Sequence, residues 1–409
     1  MRELLRRTFR SLRVRNFRIF FVGQFVSSVG LWMQQVAELW LVADITGSAT
    51  AVGLITVAHF GPVLLFGLWG GVIADRLDKR RLLLVTQTLL AAIAAGLAIV
   101  SATGGVTVGI LYGFAAATGL VQALDNPARR AFVREMVDRE NVSNAVSLVS
   151  MVFTSSRIIG PALTGVLLVT TGPTIVFAVN ALSYSGVLVA LLLMRVTELY
   201  SFPPVPKARG QLLEGLRYSW GTAGVRLPLV MMAWIGTLAF NFSVLLVLFA
   251  EQTFDAGPSG YGTLLSLSAI GSLSGALVAA ARPRITRRFL VNASLSYGVV
   301  TVIASTAPSL IAMALLLIPV GLFGVSFLSG AQGAMQEAAS PHMQGRVMAL
   351  FAVVFLGGTP IGGMFAGLVS EAWGPRVAFA MGGGVALLTG LWAWRAGRSQ
   401  IPAVEPAPT

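Results

Sequence analysis

The sequence predicts an all-α integral membrane protein with twelve transmembrane helices in two pseudo-symmetric six-helix halves. Composition, run length and an internal repeat lead there. Of 409 residues, 56% are hydrophobic and 11% charged, with a mean hydropathy of +0.80, which leaves too little polar surface to cover a soluble globule. Twelve apolar runs approach the roughly 20 residues that a helix needs to cross about 30 Å of hydrocarbon. At an offset of 202 residues, Gly172-Pro173 and Phe177-Ala178 recur as Gly374-Pro375 and Phe379-Ala380, Val152-Phe153 as Val354-Phe355, and Gly160 and Gly165 as Gly362 and Gly367, so the halves read as duplicated.

In chain order the expected spans of the first half are 17–42, 51–74, 82–102, 106–122, 145–170 and 174–194. Those of the second half are 227–249, 261–281, 289–305, 310–331, 347–368 and 377–394. Residues 1–196 and 227–398 are the two bundles, and 399–409 is a tail. The joining segment 197–226 carries Pro203, Pro204 and Pro206, followed by an amphipathic stretch at 211–220 expected on the cytoplasmic surface. The first run is long enough to remain as a spanning helix, so residues 1–18 are not expected to be a cleaved signal.

Charge sets the orientation. With the N-terminus in the cytoplasm, all 29 Lys and Arg residues except Arg157 and Arg376 fall in cytoplasmic segments. This is the positive-inside pattern, with both termini inside. The formal net charge of +13 is dealt out in short clusters between apolar runs, so nucleic acid is not an expected partner. Cysteine is absent, which excludes disulfides and thiolate metal sites, and the two histidines, His59 and His342, are far apart. Neither a metal nor any other cofactor is expected.

The stretch Gly71-Val72-Ile73-Ala74-Asp75-Arg76-Leu77-Asp78-Lys79-Arg80-Arg81 empties an apolar run into charges. It resembles the loop signature between the second and third helices of the major facilitator superfamily, with Ile73 in place of Leu and Asp78 in place of the second Gly. Arg157-Ile158-Ile159-Gly160-Pro161-Ala162-Leu163-Thr164-Gly165 is similar to the fifth-helix signature of drug/proton antiporters of that superfamily, with Ser156 and Thr164 where the family form has Gly. Asp125-Asn126-Pro127-Ala128-Arg129-Arg130-Ala131-Phe132, with Asn144 to Leu148 and Thr46-Gly47-Ser48, resembles the branch containing macrolide-efflux and enterobactin-exporter-like proteins. The resemblance implies the major facilitator fold, the cytoplasmic membrane of a bacterium, alternating access and export. Gly71, Asp75, Arg76, Arg80, Gly160, Pro161 and Gly165 are then the gating candidates. Asp75 is expected near the start of the eleventh span, where Ser340 and Pro341 look like a cap and first-turn pair. The fourth-helix arginine of many family antiporters is replaced here by Ala115.

An ionisable group inside lipid needs a reason. Glu38 in the first span and Arg157 in the fifth either pair or face water-filled cavities. Alternatively, the first helix ends early and Glu38 snorkels outward, and Arg157 is a structural clamp. Of the sixteen acidic residues, Glu38 alone falls within an expected span. Glu38, Arg157 and, next, Asp125 are therefore the proton-coupling candidates. His59 has no carboxylate near it in sequence. Since helices 1, 4, 7 and 10 face the pathway in the family architecture, Gln24, Gln34, Gln35, Met231, Met232, Phe240 and Asn241 are candidates for contact with substrate. Lipid-facing and helix-packing roles stand beside that one.

The reading is a proton-driven exporter of a small, lipophilic molecule such as a drug, antibiotic or siderophore-like compound, acting as a monomer in the lipid bilayer. The alternative is an importer or uniporter of a small nutrient on the same fold. A membrane enzyme or receptor is a third class, disfavoured because no nucleophile–base pair, acid–base pair or metal set is apparent.

Overall fold

The computed structural model describes residues 9–200, 211–282, 284–340 and 343–396. The expected tail 399–409, Pro341, and residues 201–210 of the linker lie outside these residues. The described residues form helices and turns with no strand. Among the described residues, twelve helical segments are long and apolar enough to cross a membrane. They are built from α1 (Arg15–Thr46), α2 (Ala49–Arg76), α3 (Lys79–Ala102), α4 (Val108–Glu135), α5 (Val142–Thr170), α6 (Pro173–Leu193), α8 (Ala223–Leu238) with α9 (Phe242–Leu248), α10 (Gly257–Ala280), α11 (Arg287–Ser305), α12 (Leu310–Ala338), α13 (Gln344–Trp373) and α14 (Pro375–Arg395). The short helix α7 (Gln211–Gly221) coincides with the amphipathic stretch.

Local chemistry explains the boundaries. Ser48, Thr107, Thr286 and Ser309 each accept a hydrogen bond from the backbone N–H three residues on, at 3.3, 3.4, 3.3 and 3.3 Å, the N-cap arrangement that satisfies one orphan donor. Gly172 and Gly374 take φ of +79° and +86°, and each is followed by a proline in the first turn of the next helix. The repeated Gly-Pro pair is thus a turn that only glycine enters without strain and that proline preorganises.

Three boundaries differ from the sequence expectation. α1 runs to Thr46, so Glu38 lies well inside a helix and does not snorkel. α4 continues through Asp125 and Pro127 to Glu135, so Asp125, outside the expected span 106–122, lies inside a helix. The seventh span is not continuous. Its backbone leaves the helix at Ala239 to Asn241, resumes as α9, and ends in a π-helical turn, Phe249–Thr253.

The chain divides into two compact units. One comprises Met1–Pro206 with Leu246–Ser266, the other Lys207–Leu245 with Leu267–Thr409. In the first, Phe17, Phe20, Ala74, Leu83, Phe132 and Leu191 share one buried apolar cluster where α1, α2, α3, α4 and α6 converge. α2 lies close against α4 because Gly70 and Gly119 abut the carbonyls of Ala123 and His59. In the second, Gly271, Gly275 and Gly321 bring α10 and α12 together in the same way.

Candidate functional site

α1 and α2 are a helical hairpin turned at Gly47 and Ser48. Glu38 lies eight residues before the end of α1 and His59 ten residues after the start of α2. At about 1.5 Å per residue, that is about 12 and 15 Å from the turn, so the two side chains meet at one depth. Oε2 of Glu38 contacts Nε2 of His59, and Oε1 accepts from Nε2 of Gln34 at 2.7 Å. Glu38 is 0% and His59 4% exposed. The amide of Gln34 is oriented from its far side, because its oxygen accepts from Nδ2 of Asn180 on α6 at 2.5 Å. Asn180 Oδ1 in turn accepts from Ser183 at 3.2 Å. Gly30 leaves room for this, since a Cβ there would collide with both Asn180 and Ser183. Nδ1 of His59 is buried and has no hydrogen-bond partner among the described residues.

Asp125 is the second buried carboxylate, at 0% exposure. It accepts from Thr86 at 2.7 Å and Gln87 at 2.8 Å on α3, and pairs with Arg129 one turn along its own helix. Burial of a carboxylate demands such partners. Thr118, Gln122, Asp125 and Arg129 recur at spacings of four, three and four and so share one stripe of α4. Thr118 Oγ1 and Gln122 Nε2 are buried without a partner among the described residues.

Arg157 lies over the ring of Trp32 on α1, its guanidinium carbon 5.5 Å from the centroid, a cation–π contact. Glu38 is thus held by His59, a partner that sequence reasoning missed, and Arg157 meets the aromatic face one and a half turns earlier on α1. Gly160 explains the closeness of α5 to α1. A Cβ there would lie 2.6 Å from Trp32 Cβ and 3.0 Å from the Val29 carbonyl oxygen. Pro161 sits inside α5, and Thr164, where the family form has Gly, donates to the Gly160 carbonyl at 2.9 Å and to the Met33 carbonyl at 3.2 Å. Gly165 abuts Gly262 of α10.

The charged stretch after α2 is tighter than a loop. Asp78 is the N-cap of α3 and accepts from the Arg81 N–H at 2.7 Å, which gives a structural role to the residue that departs from the family signature. Arg80 donates to the Leu191 carbonyl at 2.8 Å, in the last turn of α6, and Lys79 pairs with Glu135 at 3.1 Å. Asp75 and Arg76 occupy the exposed last turn of α2. Gly71 has only Pro127 near it, at 4.0 Å from a Cβ position, so the close α2–α4 approach belongs to Gly70.

Of the cavity candidates in the first unit, Gln24 bonds to Ser28 at 2.8 Å, Gln34 joins the Glu38 network, and Gln35 is buried. In the second unit, Met231 and Met232 are fully buried. Phe240 lies in the break of the seventh span and meets Tyr297 edge-on at 5.4 Å and Phe327 at 6.2 Å. Two bonds stabilise that break. Tyr297 donates to the Ala239 carbonyl at 2.8 Å and Asn241 to the Thr237 carbonyl at 2.9 Å. Among the described residues, no group of three His, Cys, Asp or Glu side chains is placed to hold a metal.

The family model described as a transmembrane secretion effector matches residues 6–407. The chain belongs to the transmembrane secretion effector family of the major facilitator superfamily. It is similar to the staphyloferrin A transporter of Staphylococcus aureus, 23% identical over 376 residues covering 90% of this chain and 92% of that one. It is 26% identical over 356 residues to the multidrug efflux pump Tap of Mycolicibacterium fortuitum, covering 84% and 86%. With the enterobactin exporter EntS of Citrobacter koseri it shares 26% over 391 residues, covering 92% and 90%. Among solved structures, a bacterial homologue of the human lysosomal transporter Spinster, inward-facing and unoccupied, superposes with a TM-score of 0.70 at 14% identity, covering 94% of this chain and 96% of that chain. A peptide transporter POT gives 0.72 at 16%, covering 93% and 95%. These last two bear on the fold alone. This family member is a secondary transporter and a multi-pass protein of the bacterial inner membrane. Its family and relatives are transporters rather than enzymes.

Proposed function

We propose that this chain exports a small, lipophilic organic molecule, of drug, antibiotic or siderophore-like type, by proton antiport with alternating access. The export direction is supported by its similarity to a multidrug efflux pump and an enterobactin exporter. Two six-helix halves, 1–196 and 227–398, work as a monomer with both termini in the cytoplasm, an orientation supported by the distribution of cations.

The observation that carries the coupling is the carboxylate of Glu38, wholly buried in α1 and held between an amide donor and an imidazole. Charge here is costly unless a partner or a proton compensates it, so Glu38 takes up a proton from the outer side and releases it inward while substrate leaves. One charge moving inward down a potential yields about 2.3 kcal/mol per 100 mV, enough for roughly 40-fold concentration of a neutral substrate at about 1.4 kcal/mol per tenfold. Asp125 is less suited, since it is already paired with Arg129, which does not give up its proton. In the first unit Gln24, Gln34 and Gln35, and in the second Met231, Met232, Phe240 and Asn241, are the proposed substrate contacts. Gly71, Asp75, Arg76, Arg80, Gly160, Pro161 and Gly165 remain the proposed gating set.

Glu38→Gln tests the coupling in proteoliposomes loaded with a lipophilic fluorescent dye. The amide mimics the protonated acid, so dye exchange persists while accumulation driven by a pH gradient is lost. Full gradient-driven accumulation by the variant would move the coupling elsewhere.

A further inference from the structure

We infer that His59 is the second half of the proton site, so that Glu38 and His59 bind the transported proton as a pair and Nδ1 of His59 is where it arrives. The inference rests on the reading of Glu38 as the coupling carboxylate and adds a group and an entry atom to it.

The hydrogen bonds leave one arrangement. Oε1 of Glu38 accepts from Gln34, whose amide is oriented by Asn180. A proton on Oε1 would compete with the Gln34 donor, so the proton on this carboxyl is placed on Oε2, on the line to Nε2 of His59. With one proton in the pair, Nε2–H donates to the carboxylate, the pair carries a net charge of −1, and Nδ1 holds a free lone pair. A second proton adds there, giving an imidazolium beside a carboxylate with net charge zero. Transfer of the Nε2 proton to Oε2 then leaves neutral imidazole and neutral acid, with His59 in its other tautomer. One proton enters and stays on the pair, so the loading step balances, and its release inward returns the pair to net charge −1.

The surroundings suit this role. His59 is 4% exposed with Nδ1 unpartnered among the described residues, whereas a purely structural buried histidine uses both nitrogens. α4 packs on α2 with Gly119 against the His59 carbonyl. Flanking Gly119, Thr118 Oγ1 and Gln122 Nε2 carry unused hydrogen-bonding capacity among the described residues. The titratable and charged groups on the neighbouring elements include Tyr112 of α4, which donates to the Ala51 carbonyl of α2 at 3.0 Å, Asp125 and Arg129 of α4, Arg157 of α5 over Trp32, and Tyr184 of α6, which interacts electrostatically with Glu38. Glu251 accepts from Trp40 at 3.1 Å, and Tyr261 lies at the start of α10.

The chain has two histidines, so His342→Gln leaves His59 as the one imidazole to observe. In this background, once parental export is verified, ¹⁵N-histidine NMR in proteoliposomes should show the Nε2–H tautomer at high pH and proton uptake at Nδ1 as the pH falls through the range that drives export. Adding Glu38→Gln should hold His59 in one neutral form across that range. His59→Gln, which still donates to Glu38 but carries no proton, should cut gradient-driven dye accumulation at least tenfold while dye exchange continues. A His59 signal that never changes in the Glu38-intact protein overturns the inference, whether or not His59→Gln folds. So does parental accumulation by a folded His59→Gln when Glu38→Gln is uncoupled, and the Glu38 reading then survives. If instead Glu38→Gln accumulates dye at the parental rate, the Glu38 reading falls and takes the pair with it.

Discussion

Gly160→Ala adds one carbon to the tightest point between α5 and α1. The new Cβ would stand 2.6 Å from Trp32 Cβ, 3.0 Å from the Val29 carbonyl oxygen and 3.3 Å from the Met33 nitrogen. Carbon atoms at rest lie about 3.5–4.0 Å apart, so the helices must separate by about 1 Å. None of the three atoms is the free end of a side chain that could swing aside. Overpacking of this kind costs about 1–3 kcal/mol, and leucine exceeds the upper end. The same displacement lifts Arg157 from the Trp32 ring and pulls Thr164 from the Met33 carbonyl. Gly113→Ala is the control, because nothing lies within 4 Å of a Cβ there, and it should gain roughly 0.5–1 kcal/mol of helix stability. Thermal unfolding in detergent should rank Gly113→Ala above the parent and Gly160→Ala and Gly160→Leu progressively below it. Dye pumping by proteoliposomes should fall, or passive leak rise, in the same order as the Gly160 series. A Gly160→Leu protein with parental stability, pumping and leak would refute the reasoning and reduce the Gly-Pro motif to packing against lipid.

Asp125→Asn removes the charge facing a half-buried arginine, and breaking a buried pair on one side costs about 3–5 kcal/mol. Thermal unfolding should show that loss, with the double variant Asp125→Asn, Arg129→Gln recovering part of it; equal stability of all three proteins would contradict the pairing. Asp75→Asn, on the exposed last turn of α2, should still insert in the membrane, yet lower dye transport at least tenfold. Transport at the parental rate would remove Asp75 from the gating set.

The helices were legible because hydrocarbon imposes one period and one length on any segment that crosses it, and every expected span overlaps an observed one. What escaped were features set by partners distant in sequence. The break at Ala239 to Asn241 contains no Pro or Gly, so nothing local announces it; the Tyr297 hydroxyl, 58 residues away, supplies the donor that an interrupted helix needs. Asp125 lies beyond the expected span 106–122. The helix instead continues, with Pro127 inside it and Thr86 and Gln87 waiting on α3. The repeat, by contrast, predicted packing: Gly160 and Gly362 stand at one offset, and each abuts the first spanning helix of its own half, Gly362 against the Thr237 carbonyl of α8. His59 had a usable signal that went unread. Counting outward from the Gly47 turn puts it level with Glu38, and two antiparallel helices joined by so short a turn must bring equal depths together.

The two buried carboxylates differ in what their partners can do, and on the proposed reading this difference separates coupling from scaffolding. Asp125 and Arg129 lie one turn apart on the same helix, so a shift of α4 against its neighbours carries both together and leaves their attraction unchanged. Glu38 and His59 belong to different helices, so any sliding of α1 against α2 alters the distance between them directly. Arginine keeps its proton throughout, whereas an imidazole can take up or give up one. On the proposed reading, such a pair across two helices binds protons with an affinity set by the helices' arrangement. By reciprocity, proton binding then biases that arrangement by the same free energy. Gln34 and Asn180 hold Oε1 still, so the response is confined to the single contact between Oε2 and Nε2.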